Sequence, residues 1–547
     1  MVADDSGRPR NRAAANPAAR NRAARPALRA GILLLVSWGG LGPARLAVPA
    51  ARAAEGPPAP ASQVTPTRLR NALAQLDGLA ADLMRRSGVP GMSVVVVHDD
   101  RVVYLRGFGV LEAGQPARVD GDTVFQLASL SKPIASTVVA AVVGDGRVGF
   151  DDPVLRTLPE ARIGPPAIAS SVTLRDLLSH RSGLPDHAGD HLEDIGFDRE
   201  TILRRLRLIP IENRFRAVYN YTNFGFTAGA VAAARAAGQD WETLSAQRLY
   251  RPLGMARTTS RFSEWMAMAN RARPHVPDGG RWVDRYQRDP QAQAPAGGVS
   301  SSARDLGQWL RLQLAGGRVD GRQLVAATAL AETHRPQMIS TPPKNPSQDH
   351  AGLYGLGWGV GYTNRGEVQL SHSGAFNLGA ATAVYLLPEE KLGIVALTNA
   401  QPVGLPESLA LSFLDLASRG AIQQDYLPAL NRVFQAMGSQ DYPQVVAPAA
   451  PTPALAPQAY AGRYRNAYVG PIAVRHQEGQ GLMLELGPAP LRFPLTHVSG
   501  HTFRYQPIGE NAYGPSAVVF SIGSGGSAEA LRIDNLNLNG LGTFRRE

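Results

Sequence analysis

The chain has 547 residues, 18% of them charged and 44% hydrophobic, which excludes an intrinsically disordered protein and leaves room for two or more domains. The formal net charge of +11 does not mark a nucleic-acid-binding protein, because nine Arg and two Asp within residues 1–54 account for +7 of it and leave +4 for the rest. No Arg-rich stripe with interleaved aromatics is present. Cysteine is absent, which excludes disulfides and a lipidated N-terminal cysteine.

Residues 1–54 read as an export leader. An Arg-rich, Pro/Ala-rich lead ends at Arg29, and AGILLLVSWGGLG (30–42) has the length of a signal h-region. It is too short to span a bilayer, which takes ~20 apolar residues. ARAAEG (51–56) then offers small residues for cleavage near Ala53 or Ala54. The leader contains no adjacent Arg pair of the twin-arginine kind. Residues 55–66 form a linker. TRLRNALAQLDGLAADLMRRSG (67–88) has apolar residues at helical spacing and ends in Gly. SVVVV (93–97), HDD and RVVYLRGF (101–108) predict a hairpin. PIASTVVAAVV (133–143) predicts a buried helix of small residues, and residues 150–290 predict short helices and loops. AATAVYLLP (380–388) and KLGIVALTN (391–399) predict buried strands, followed by a helix over 406–418. Helices and strands at both ends of the segment imply one mixed sheet with a mostly helical insertion. A Pro/Ala-rich linker (437–458) separates this domain, residues 67–436, from residues 459–547, where about seven short strands predict a small β-barrel or sandwich.

The chemistry lies in Ser129-Leu130-Ser131-Lys132. Of 56 Lys plus Arg, three are Lys, at 132, 344 and 391. Where Arg is the default cation, a retained Lys points to a task that requires losing a proton, which Arg cannot do. Ser and Lys three apart on a helix share one face. Burial lowers a lysine pKa, and the neutral amine can then activate the Ser as a nucleophile. Alone, the pair is also what an N-cap Ser followed by a surface Lys would give.

Two further stretches, YNYTNFGF (219–226) and LSHSGAF (370–376), follow in order. With them the chain resembles the serine β-lactamase and D,D-peptidase superfamily, in its class C-like branch. VFQLASLSK (124–132), LRDLLSHRSGLP (174–185), PAGGVSSSARDLGQWL (295–310) and YGLGWGV (354–360) fit the same pattern, which covers roughly residues 67–425. The resemblance implies an α/β fold, a mixed antiparallel sheet flanked by helices with a mostly helical subdomain. It makes Ser129 the acylated nucleophile, Lys132 the holder of its proton and Tyr221 a general acid/base. Asn223 would bind the substrate amide, and the N–H groups of Ser129 and Ala375 would form the oxyanion hole. Gly374 would let substrate lie against its strand. His372-Ser373-Gly374 replaces the usual K-T-G, so the permanent cation that attracts a β-lactam or C-terminal carboxylate is missing, and His372 is expected to join the proton network. This departure favours a peptidase, D-aminopeptidase or esterase acting on a small molecule or short peptide. The alternatives are a β-lactamase or D-Ala-D-Ala carboxypeptidase and, in another class, a non-catalytic penicillin-binding-like protein.

No cofactor is expected. PDHAGDHLED (185–194) has His187 and His191 four apart with three Asp, yet Gly189 argues against a fixed helix face and no metal is assigned there. His180, Trp309 and Trp358 read as packing residues, with a place at the border of the cleft left open for Trp358. The C-terminal residues resemble a lipocalin-like accessory domain that serves assembly or covers the cleft, which leaves homo-oligomerisation through it open. The expected location is periplasmic or extracellular.

Overall fold

The computed structural model describes residues 62–547 apart from 212, 213, 348, 364 and 438–441. The expected leader, most of the first linker and the start of the second lie outside them.

Helix α1 (Pro66–Ser87) is capped by the Thr65 side chain and ends on Gly88 in the left-handed region. Strands β1 (Gly91–His98) and β2 (Arg101–Gly109) form the expected hairpin at one edge of an eight-stranded sheet. The remaining strands come late in the chain: β3 (Met338–Thr341), β4 (Gly352–Tyr354), β5 (Gly359–Tyr362), β6 (Val368–Phe376), β7 (Ala380–Leu387) and β8 (Leu392–Thr398). The order is β2-β1-β8-β7-β6-β5-β4-β3, antiparallel at every pairing. The run of valines in β1 is buried on both faces because alternate side chains enter different cores. Val94 and Val96 pack with residues of α1 such as Leu76 and Leu83, whereas Val95 and Val97 face the opposite core.

Helix α2 (Ser131–Gly144) and helix α3 (Asn223–Ala236) run through the helical insertion, and small residues let them pack closely. Helix α4 (Ala303–Leu314) covers one face of the sheet, with Trp309 stacked on Trp358 at 5.6 Å between ring centroids. Helix α5 (Leu405–Arg419) covers the other face beside α1, supplying Leu409 and Phe413 to the core that holds Val94 and Val96. A shorter helix, α6 (Leu427–Met437), follows it. No helix among the described residues is long and apolar enough to cross a membrane.

The C-terminal strands close into an eight-stranded barrel, β9 to β16: Gly462–Asn466, Gly470–Gln477, Gly481–Leu486, Leu491–Ser499, Thr502–Tyr505, Ser516–Ile522, Ala528–Ile533 and Thr543–Arg546. The sequence suggests about seven. The eighth, β16, closes the barrel by pairing Arg546 with Tyr464, and it is hard to read because only Phe544 of its four residues is buried. The barrel docks on the domain of the eight-stranded sheet through the loop before β14. Asp194 accepts the Glu510 N–H at 2.9 Å, the Asn511 N–H at 3.0 Å and the Asn511 side-chain amide at 2.8 Å.

Replacing Asp194 by Ala strands these donors. Hydrogen bonds to a charged group are worth ~1.5–3 kcal/mol each. Hydrogen exchange of the 509–513 amides is therefore expected to accelerate by at least about tenfold, while β9–β16 keep their protection. Unchanged exchange in the loop would show that Asp194 does not hold it.

Candidate active site

Ser129 sits in a 3-10 turn, Ala128–Leu130, just ahead of α2. The turn is tight: Ala128 takes a positive φ of 48°, and the Leu127 carbonyl accepts both the Leu130 N–H at 3.2 Å and the Thr382 hydroxyl at 2.7 Å. A non-glycine residue at such φ is uncommon and is held by its surroundings. One of those surroundings is Gly374 of β6. A methyl group there would fall inside contact distance of the Leu127 carbonyl and the Thr382 hydroxyl, and 3.0 Å from the Leu130 nitrogen. Gly374 is thus needed for the turn that carries Ser129 to lie against the strand. This corrects the expectation that its bare face meets substrate. Its neighbours Ser373 and Ala375 do line the cleft.

Lys132 is fully buried, one turn after Ser129. Its Nζ donates to Ser129 Oγ at 3.1 Å, Asn223 Oδ1 at 2.7 Å and the Ala296 carbonyl at 3.1 Å, and lies 4.4 Å from the centre of the Tyr221 ring. Burial pulls its pKa down to about 7, against the opposing charge of Asp190. Tyr221 Oη donates to Ser129 Oγ at 2.7 Å. Burial pushes this phenol well above its usual value, against the lowering effect of the Ser129 hydrogen bond, so it is a neutral donor at pH 7. Of the two partners of Ser129, the lysine is the one that can accept a proton.

Asn223 is engaged at both ends. Its Oδ1 accepts from Lys132, and its Nδ2 donates to Asp190 Oδ2 at 2.7 Å. The same oxygen meets His187 Nδ1 at 2.8 Å. Burial lowers the His187 pKa, but the hydrogen bond and charge of Asp190 outweigh it and raise it overall. Hence the PDHAGD stretch belongs to the site as a source of negative charge. Among the described residues no group of three or more His, Cys, Asp or Glu could hold a metal ion.

An aromatic wall dries this network. His180 is buried, accepts the Thr222 N–H at 3.1 Å and packs on Tyr221 with centroids 4.5 Å apart. Tyr354 packs on His180 at 5.0 Å and on Tyr219 at 5.4 Å. His372 is placed beside them on β6. Its Nε2 meets the Tyr354 hydroxyl at 2.9 Å and its Nδ1 meets the Ser373 carbonyl at 2.7 Å. A carbonyl only accepts, so Nδ1 carries the proton and Nε2 accepts from Tyr354. Burial, with the Lys132 charge second, lowers its pKa to about 3, so the ring is neutral. Among the described residues it makes no hydrogen bond to Tyr221, and it reaches the network only through the aromatic wall. Trp358 is fully buried and does not border the cleft.

Ser129, Tyr221, Asn223, His372, Ser373 and Ala375 all face a cleft of about 670 Å³. Sequence reasoning missed Asp190, Tyr354, Arg288 and the barrel residue Glu510, which face it too. Tyr354 opens a motif that was already visible. The signal for Asp190 was the need of a buried lysine for a nearby counter-charge.

The chain belongs to the β-lactamase family: residues 76–414 match the family described as Beta-lactamase. Residues 446–541 match a domain of unknown function, DUF3471. The fold is that of the serine hydrolases of the β-lactamase kind. Unguisins hydrolase ungD of Aspergillus violaceofuscus is 23% identical over 410 residues, covering 69% of this chain and 72% of that protein. Esterase EstB of Burkholderia gladioli is 33% identical over 201 residues, 33% of this chain and half of the esterase. Penicillin-binding protein 4 of Amycolatopsis lactamdurans is 26% identical over 320 residues, 57% of this chain and 81% of that protein. The octameric penicillin-binding protein homologue from Pyrococcus abyssi shares the fold with a TM-score of 0.54 at 21% identity, over 84% of this chain and 98% of that one.

Gly374→Ala is expected to displace the nucleophile turn and lower kcat/KM by ~10²-fold or more, as ångström-scale misplacement does. Gly361→Ala on the neighbouring strand, where a methyl group meets nothing closer than 3.9 Å, is expected to be tolerated. Equal activity of the two variants would remove this role from Gly374.

Proposed function

We propose that the protein is an exported serine hydrolase that forms an acyl-enzyme on Ser129 and acts on small peptides, amides or esters, including those containing D-amino acids. The observation that carries this reading is the Ser129 hydroxyl held between Lys132 Nζ at 3.1 Å and Tyr221 Oη at 2.7 Å.

In this reading Lys132, in its neutral form, takes the Ser129 proton as Oγ attacks the substrate carbonyl. The N–H groups of Ser129 and Ala375 receive the charge that develops on the carbonyl oxygen. Such donors are worth ~10²–10³ in rate. Tyr221 protonates the leaving group and is reprotonated from Lys132. A water then attacks the acyl-enzyme by the reverse route. Asn223 fixes Lys132 and, with its remaining amide hydrogen, is offered to the substrate. His372 braces Tyr354 and through it the wall behind Tyr221.

The cleft favours a substrate with no carboxylate beside the scissile bond. His372 is neutral, and Arg288 has its two outer nitrogens faced by Glu193 at 2.5 Å and Asp194 at 3.6 Å and its Nε by Glu510 at 4.0 Å. This speaks against β-lactamase and D,D-carboxypeptidase activity. The names of the hydrolase and esterase relatives support the choice. The leader pattern supports export to the periplasm or medium, and N-terminal sequencing of the secreted protein checks it: a mature start near residue 54 is expected, and an intact Met1 in the secreted fraction would contradict it.

Lys132→Arg and Ser129→Ala are both expected to reduce turnover of short-chain nitrophenyl esters or D-aminoacyl amides by at least ~10³-fold, with unchanged circular dichroism. Mass spectrometry should find the acyl adduct on Ser129. Full activity in either variant would overturn the mechanism. The base must be neutral to act, so kcat/KM is expected to rise with pH through a limb near 7. Asp190 holds the Lys132 pKa up, so Asp190→Asn should move that limb to lower pH. A limb that stays in place or moves upward would contradict the assignment of Lys132 as base.

A further inference from the structure

Between the hydrolase domain and the barrel, one carboxylate occupies a position built for an anion. Asn377 and Leu378 directly follow β6, the strand that carries His372, Ser373 and Ala375. Their consecutive backbone N–H groups both point at Glu510 of the barrel: Asn377 N–H to Oε1 at 2.5 Å and Leu378 N–H to Oε2 at 3.4 Å. Successive N–H groups of this kind make an anion-binding concavity. Arg288 completes it. Its guanidinium lies over the Phe376 ring, 5.3 Å from the centroid, and is 6% exposed, with Nε 4.0 Å from Glu510 Oε2. That Nε–H is buried and finds no hydrogen-bond partner among the described residues. Arg288, Asn377 and Glu510 line the same cleft as Ser129.

We propose that Arg288 and the N–H groups of Asn377 and Leu378 form an anion subsite of the active-site cleft, and that Glu510 fills it, so that the barrel excludes substrates bearing a carboxylate at that end. The inference rests on the hydrolase reading above and names the substrate class it turns away. Glu510 acts as a specificity determinant and touches no reacting atom. Its carboxylate both fills the subsite and repels a second anion. Burial pushes its pKa up to about 7 against the pull of Arg288, so the fit is held at a cost in desolvation. The barrel thereby has a role at the cleft that is independent of assembly.

The test uses the full mature chain and two esters of matched length, 4-nitrophenyl butyrate and 4-nitrophenyl hemisuccinate. The parent is expected to prefer the neutral ester. Glu510→Ala should reduce that preference by at least about tenfold, chiefly through KM for the hemisuccinate, because an open anion site now receives it. Acetate is the fragment that this substitution removes. It should therefore raise the thermal midpoint of Glu510→Ala in a concentration-dependent manner, but not that of the parent, at matched ionic strength with chloride. Glu510→Gln keeps the shape and removes the charge. It should shift the ester preference in the same direction by a smaller factor, and it decides the matter if Glu510→Ala does not fold. Unchanged ester preference in the folded variants, or no acetate-dependent shift in Glu510→Ala, would overturn the proposal. If the parent turns over neither ester, the hydrolase reading fails on these substrates, while the acetate measurement still decides whether the anion subsite exists.

Discussion

The site depends on one constraint, the removal of Lys132 from water. An ammonium with three hydrogen-bond acceptors around it would ordinarily stay charged. Here the acceptors are a hydroxyl, an amide oxygen and a carbonyl, none of which carries a full charge. The nearest carboxylate, Asp190, is kept one residue away behind Asn223. The result is an amine whose pKa lies near 7, poised between holding and releasing a proton. An arginine in the same pocket would remain a cation and could only hold Ser129 in place.

The fold serves this constraint from several directions. Helix α2 is buried along nearly its whole length, which places Lys132 inside a packed domain. The aromatic wall of His180, Tyr219, Tyr221 and Tyr354 excludes water on one side. On the other side the nucleophile turn is pressed against β6, which only a glycine at 374 permits. The barrel then bounds the open end of the cleft through Glu510, Asn511 and Tyr513. Tyr513 Oη accepts from the Asn377 side-chain amide at 2.6 Å, so the barrel grips the same turn that follows β6.

Much of this was legible in the sequence. Ser129, Lys132, Tyr221 and Asn223 stand in local motifs, and hydrophobic period marked α1, the first hairpin and the last two strands of the sheet. Strands β3 to β5 were not read because they are only three or four residues long and largely half-exposed, with Gly in β4 and β5. Asp190 was obscured because its partner lies 33 residues away, and a short stretch with two His and three Asp more readily suggests a metal. Glu510 could not be assigned at all. Its importance comes from residues 377 and 378, more than a hundred positions earlier, and only the docking of two domains brings them together. The role of Gly374 was read from its motif and misattributed to substrate, since nothing local shows that residues 127–130 press against it.

The central claim is that Lys132 is a neutral base near physiological pH, and the small number of lysines makes it directly measurable. With ¹³C-labelled lysine, the folded protein should give resolved Cε signals for residues 132, 344 and 391. The account predicts that one of them titrates near 7 and disappears in Lys132→Arg. Three signals that all titrate above about 10 would contradict it.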